Sequence, residues 1–360
     1  MSGVDYVFVA VIGARFLVPL LIPRYPLPAV VACLLLDGID QSVFQWFGYD
    51  PPGYQGYDKA MDVYYLAIAY LSTMRNWASL PAYGVGRFLY FYRLVGVVAF
   101  ELSQVRALLL VFPNTFEYFF IGYEMVRSRW QPLRVSLRRW ILVAALIWIF
   151  IKLPQEYWLH VAQLDLTDTL RDYAWAWPLL ISLIVLLAAI LWFVVRPRLP
   201  EPDWRLHMAA DPLPEAVDNA AEQAAWRARE GAVLSWATAE KVVLLGLISV
   251  IYAQTLPGIH ATDLQLFLGI GAFVVLNAAI TLAAARRGRA IENVAVAFTA
   301  RLLVAVGIVA AAQVLIGSNS SPWTTVFFLA LISLITTLHD RWQPVVAYRR
   351  RAESPPLVEV

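Results

Sequence analysis

The sequence predicts an all-α fold, a polytopic integral membrane bundle of about 11 transmembrane or membrane-embedded helices. Hydrophobic residues make up 60% of the chain and charged ones only 15%, with a mean hydropathy of +0.63. That is more apolar surface than a soluble domain can hide. Runs such as Leu179–Val195 and Phe267–Ala285 have the length a helix needs to cross roughly 30 Å of hydrocarbon. The short alternating strands of an outer-membrane barrel are missing from the pattern.

In order, helices are expected near 5–22, 27–47, 59–78, 84–103, 105–126, 139–153, 174–195, 239–256, 263–285, 292–316 and 322–339. The N-terminal run lacks a basic leader and a small-residue cleavage site, so it reads as a retained helix. The pair at 84–126 allows an alternative, because Pro113-Asn114-Thr115 can end one long helix and cap a short one. The span at 139–153 is short and is expected to stop at Pro154. Between the two hydrophobic blocks lies an insert at 196–236, first proline-rich and extended, then an amphipathic helix of about four turns around PEAVDNAAEQAAWRAREGA. The domain reading is therefore a charge-bearing bundle at 1–195, the insert at 196–236, an apolar four-helix bundle at 237–341 and a basic tail at 342–360.

Basic residues set the orientation. Arg127, Arg129, Arg134, Arg138 and Arg139 crowd one loop; Arg196 and Arg198 open the insert; Arg286, Arg287 and Arg289 fill another loop, and Arg349, Arg350 and Arg351 the tail. With these spans all four sites fall on one side, so the long central loop and C-terminus are expected in the cytoplasm and the chain in the cell (inner) membrane. The net charge of +2 gives no case for nucleic acid. The single cysteine, Cys33, sits in an apolar run and reads as a small buried hydrophobe.

Charge divides the two blocks. Between Val242 and Ala285 the only charged residue is Asp263, whereas residues 1–126 carry many. A charge at the centre of a membrane helix costs roughly 2.5–3.5 kcal/mol on insertion scales, so such residues face a bundle interior or a polar cavity. The first block therefore reads as the working part and the second as support. Asp37, Asp40 and Gln41 share one helix face, and Asp50, Asp58 and Asp62 follow on the same side, forming an acidic mouth for a cation, a proton or a basic headgroup. The alternative is a helix that ends early, leaving these acids in water. Arg93, Glu101, Arg106 and Glu117 have complementary signs on adjacent spans, which predicts interhelical ion pairs, either as a register-fixing lattice or as part of an anion site or proton path. Arg75, Arg87 and Glu124 read as interfacial anchors.

Glu156 and His160 stand one helical turn apart, and such a pair can ligate zinc. The set is short of the third ligand a metal site requires. The favoured reading of this segment is an interfacial helix anchored by Tyr157, Trp158, Trp175 and Trp177. There is no Walker A loop, GxSxG elbow, HExxH, CxxC or CxxCH, which removes most ATPase, serine hydrolase, zincin, thiol-redox and cytochrome c readings and leaves no cofactor predicted. The expected function is transport of a solute or ion through a charge-lined intramembrane site, with Asp37, Asp40, Asp62, Arg93, Glu101, Arg106 and Glu117 along the path. The expected partners are membrane lipids and a small solute, ion or lipid headgroup. An enzyme on a lipid or polyprenyl-phosphate substrate at the outer face, and a non-catalytic assembly or scaffold subunit, are the competing expectations.

Overall fold

The structure, a computed structural model, describes residues 3–47, 54–158, 162, 166–256, 262–288, 294–316 and 322–353. Among these there are helices and no strand. The helices are α1 (Gly3–Leu17), α2 (Pro26–Trp46), α3 (Tyr54–Asn76), α4 (Leu80–Ser103), α5 (Ala107–Val111), α6 (Thr115–Arg127), α7 (Leu137–Ile147), α8 (Leu153–Glu156), α9 (Leu166–Asp172) and α10 (Ala176–Ala189). They are followed by α11 (Ala220–Glu230), α12 (Trp236–Thr255), α13 (Asp263–Arg286), α14 (Val294–Ile316) and α15 (Pro322–Glu353). Among the described residues three continuous helical stretches are long and apolar enough to cross a membrane by length and composition: Ala176–Arg198, Trp236–Thr255 and Leu264–Arg286. The first of them is almost wholly exposed beyond Ala176.

Short polar residues start several helices. The Ser79 side chain accepts from the Ala82 amide, Ser235 accepts from Thr238, and Asn219 accepts from Glu222. Thr262 and Gln265 form a capping box. Each cap satisfies an amide that has no partner within its own helix.

The core is organised around α3. From Ala60 to Asn76 this helix is almost wholly buried, packed by α1, α2 and α4 from the first block and by α12 and α15 from the second. Tyr70 stacks on Tyr90 with ring centroids 4.5 Å apart, and Trp77 stacks on Tyr123 at 4.0 Å. Cys33 is buried in this core, as its apolar run predicts. The two hydrophobic blocks thus share one interior.

Two local expectations are corrected. Residues 105–126 are not one helix: α4 ends at Gln104, whose φ of +57° places it in the left-handed region, and the return path is broken at Pro113 into α5 and α6. Pro154, by contrast, interrupts nothing. A π-helical turn, Trp148–Lys152, precedes it, and the Leu153 amide reaches back to the Trp148 carbonyl. The wider turn absorbs the amide that proline lacks, so α7 passes into α8.

The insert is more ordered than a linker. Its extended part is laid along the end of α6: the amides of Asp203 and His207 donate to the carbonyls of Arg129 and Ser128, and Trp204 Nε1 donates to the Arg127 carbonyl at 3.1 Å. Its helix, α11, has 11 residues, three turns rather than four. It lies on α13 and α15, and Arg351 pairs with Glu230 at 2.5 Å. That hydrogen bond holds the Glu230 carboxyl below the usual range.

α15 runs through Pro344 and into the basic tail. Pro344 has no amide to give the carbonyl of Asp340 one turn back. Arg227 of α11 fills that place, donating from Nη2 to the Asp340 carbonyl at 2.6 Å. Beyond it, Arg349 donates to the carbonyls of Met74, Arg75 and Trp77 at the end of α3. These oxygens have no amide partner once a helix ends.

At Gly56 a Cβ would stand 2.1 Å from the Thr255 carbonyl oxygen of α12, a backbone atom that side-chain rotation cannot move. Gly56→Ala should destabilise the fold by about 1–3 kcal/mol, the usual cost of overpacking. Thermal unfolding in detergent, compared with an exposed control such as Gly13→Ala, where nothing lies within 4 Å of the added atom, checks this.

Candidate functional site

Three helices bring one arginine and four aspartates together. α1 presents Arg15 from its last turn. Asp37 and Asp40 come from one face of α2, three residues apart, and Asp58 and Asp62 from one face of α3, four apart. Arg15 Nη2 bonds Asp37 Oδ1 at 2.6 Å and Asp62 Oδ1 at 2.5 Å, while Nη1 bonds Asp40 and Asp58. Counting one guanidinium against four carboxylates, the centre carries a formal −3.

The site has a floor and an opening. The Arg15 and Asp40 side chains are each 5% exposed, whereas Asp37, Asp58 and Asp62 are 41%, 36% and 44% exposed. A buried ion pair therefore supports three carboxylates that reach the exterior of the fold. Ligand oxygens of Asp37, Asp40 and Asp58 lie within 4.8 Å of one another, a spacing compatible with a hard cation between them. Beside this centre, Lys59 bridges to Glu101 of α4 at 3.2 Å.

A second polar layer lies one turn further along α3. The Tyr65 hydroxyl donates to Glu117 Oε1 at 2.6 Å, and Asn114 Nδ2 donates to Glu117 Oε2 at 3.1 Å. The Asn114 amide donates to Glu156 Oε1 at 3.2 Å, and Arg93 donates to the Phe112 carbonyl at 2.9 Å. Lys152 is buried over the Tyr118 ring at 4.4 Å and donates to Gln155 at 2.8 Å. The break at Pro113 thus opens into this layer, where side chains replace the missing helical bonds.

Two more layers follow. The Tyr70 hydroxyl bonds Glu240, which pairs with Arg87 at 2.9 Å. At the far end Glu124 accepts from Trp77 Nε1 at 2.9 Å and from Arg127 Nε at 2.6 Å. From Asp62 to Asn76, the last residue of α3 and the neighbour of Trp77, the helix rises about 21 Å at 1.5 Å per residue.

Of the residues singled out in the sequence, Asp37, Asp40 and Asp62 meet at one centre and Glu117 lies in the next layer. The ion pairs expected among Arg93, Glu101, Arg106 and Glu117 are not what forms: Arg93 serves a carbonyl, Glu101 pairs with Lys59, Glu117 holds Tyr65 and Asn114, and Arg106 is exposed in the turn after α4. Glu124 is fully buried rather than an interfacial anchor, because Trp77 and Arg127 enclose it and the insert covers that end. Arg87 is only partly exposed and is tied to Glu240. Glu156 is buried and turned toward Asn114, so it does not face the outside with His160. His160 and Asp50 lie outside the described residues. Arg15, Lys59, Lys152 and Glu240 are members that the sequence reading did not select; for Arg15 the signal was its standing as the sole basic residue of the first span.

No protein-family model, no curated protein and no solved structure matches this chain.

Replacing Arg15 should be costly, since it removes the cation of a buried pair and sets four carboxylates against one another. Arg15→Gln is expected to lower stability by about 3–5 kcal/mol. Adding Asp40→Asn should recover part of that loss. A double-mutant cycle on thermal unfolding reads the coupling; simple additivity would mean that the pair does not hold the centre together.

Proposed function

We propose that the chain is a multi-pass protein of the cell membrane, with about 11 membrane-embedded helices and with the central insert and C-terminus cytoplasmic. Its proposed work is to move an ion or small solute through the first block, coupled to cation or proton binding at the four-aspartate centre. The observation that carries this reading is the series of polar layers along α3, from Asp58 and Asp62 through Tyr65–Glu117 and Tyr70–Glu240 to Trp77–Glu124. Charged groups inside a membrane bundle are rare and mark ion or proton pathways. The chemistry follows from the charge count. A cation or protons arriving at the open side compete with Arg15 for the carboxylates, and their binding releases the guanidinium from part of its ring of partners. Arg15 then acts as an internal counter-ion that closes the site when the cation leaves. The packing of the insert against the arginine-rich end of α6, with Arg349 of the tail gripping α3 nearby, supports a common side for these segments. A purely structural lattice is a poorer fit, because a lattice would balance its charges and among the described residues this centre sets four carboxylates against one guanidinium.

A second reading is favoured by one specific observation, the convergence of two aspartate pairs from facing helices at a partly exposed point. Such sets hold divalent ions that orient phosphate esters, as an enzyme on a lipid or polyprenyl-phosphate substrate would need. The two readings separate in one preparation. In proteoliposomes with an imposed pH or sodium gradient, transport predicts solute or ion flux that falls roughly tenfold or more in Asp62→Asn and in Glu117→Gln. The enzyme reading predicts magnesium- or manganese-dependent turnover of lipid phosphate that Asp62→Asn abolishes and Glu117→Gln spares. Wild-type behaviour of Asp37→Asn and Asp62→Asn in both assays would sink both.

A further inference from the structure

The second block has a charge centre of its own, opposite in sign to the first. Lys241 Nζ bonds Asp340 Oδ1 at 2.5 Å, Arg301 Nη2 bonds Asp340 Oδ2 at 2.7 Å, and Arg227 takes the Asp340 carbonyl. Two cations, from α12 and α14, thus share the Asp340 carboxylate of α15 while a third, from α11, holds its backbone carbonyl, a formal +2. Lys241 is 3% exposed, and Arg301 and Asp340 are mostly buried. Glu230 adds no compensation, because Arg351 neutralises it. Among the described residues this surplus has no counter-charge, and buried charge without a partner is expensive.

The surplus borders empty space. A cavity of about 400 Å³ is lined by Arg227, Lys241, His339 and Asp340, with Trp226 and Trp236 in its walls. A second, of about 250 Å³, lies against Arg227, Arg301 and Asp340. His339 is 2% exposed, and among the described residues neither of its ring nitrogens has a hydrogen-bond partner; Arg301 Nη1 is likewise buried without one there. Buried polar atoms are nearly always satisfied, so unspent donors on the wall of a cavity point to a ligand that supplies acceptors. A cation is excluded by the sign of the site, and an apolar ligand would leave the donors as they are. The donors approach from four helices, which suits the several oxygens of a phosphoryl group better than the two of a planar carboxylate.

We propose that the two cavities beneath α11, which share Arg227 and Asp340 in their linings, bind a phosphate-bearing ligand, held by Lys241 from the first, Arg301 from the second and Arg227 from both. The shared chemistry is a phosphate monoester or headgroup, from a soluble compound or from a membrane lipid whose head enters beside Trp236. This site is separate from the four-aspartate centre and does not depend on what that centre does.

The test uses the full chain, purified in a neutral detergent and followed by intrinsic tryptophan fluorescence during heating. Inorganic phosphate should raise the melting midpoint by about 2–4 °C over chloride at equal ionic strength. In nanodiscs, phosphatidic acid replaces inorganic phosphate as the probe, against phosphatidylcholine. A shift with both probes assigns a site open to soluble phosphate; a shift with phosphatidic acid alone assigns a lipid headgroup. Arg301→Gln and Lys241→Gln should each weaken binding roughly tenfold or more, while Arg301→Lys keeps most of it. No shift with either probe, or wild-type affinity in both Gln variants, overturns the proposal. Where the Gln variants fail to fold, native mass spectrometry of the wild type decides: a phosphate-containing adduct in the probe-treated protein upholds the site, and its absence overturns it.

Discussion

Away from water, a carbonyl oxygen or a charge must find its partner inside the protein, and in this chain the guanidinium group repeatedly provides it. Arg93 meets the carbonyl before Pro113, Arg227 the one that Pro344 leaves free, and Arg349 three at the end of α3. Each unsatisfied group would cost about 1–3 kcal/mol. A planar fork with five donors answers several oxygens from one anchor. Arg15 applies the same property to carboxylates, and the packing of α1, α2 and α3 follows from its four bonds.

The all-helical character, and the shared faces of Asp37 with Asp40 on α2 and of Asp58 with Asp62 on α3, were legible in the sequence because each rests on local spacing. What was not legible depended on partners far along the chain. Opposite signs on adjacent spans suggested pairs among Arg93, Glu101, Arg106 and Glu117. The broken helix at Pro113 offered Arg93 a carbonyl instead, and Lys59 reached Glu101 first. Glu124 looked interfacial because a cluster of arginines follows it; that end is in fact sealed by an extended segment that composition marks only as a linker. Pro154 looked like a stop, and the π-turn before it has no sequence signature.

The division into a charged block and an apolar block takes a new form in three dimensions. The apolar stretch from Val242 to Ala285 is flanked by Lys241 and faces Arg301 and Asp340, residues that lie outside that stretch. The described residues therefore hold two charge centres of opposite imbalance, one partly open with carboxylates in excess and one mostly buried with cations in excess. A helix shared by both blocks, α15, touches the second directly and contacts α3, which carries half of the first.

That helix is not a uniform rod. A proline inside it makes a joint, with an arm of about 22 residues before Pro344 and about nine after it. The shorter arm carries the arginine that grips the end of α3, and the joint itself is braced by a side chain from the insert. The stiffness of this elbow is thus set by α11, a helix outside the apolar spans. The insert works as a brace: where α11 sits determines how firmly the two arms of α15, and with them the base of α3, are locked in line.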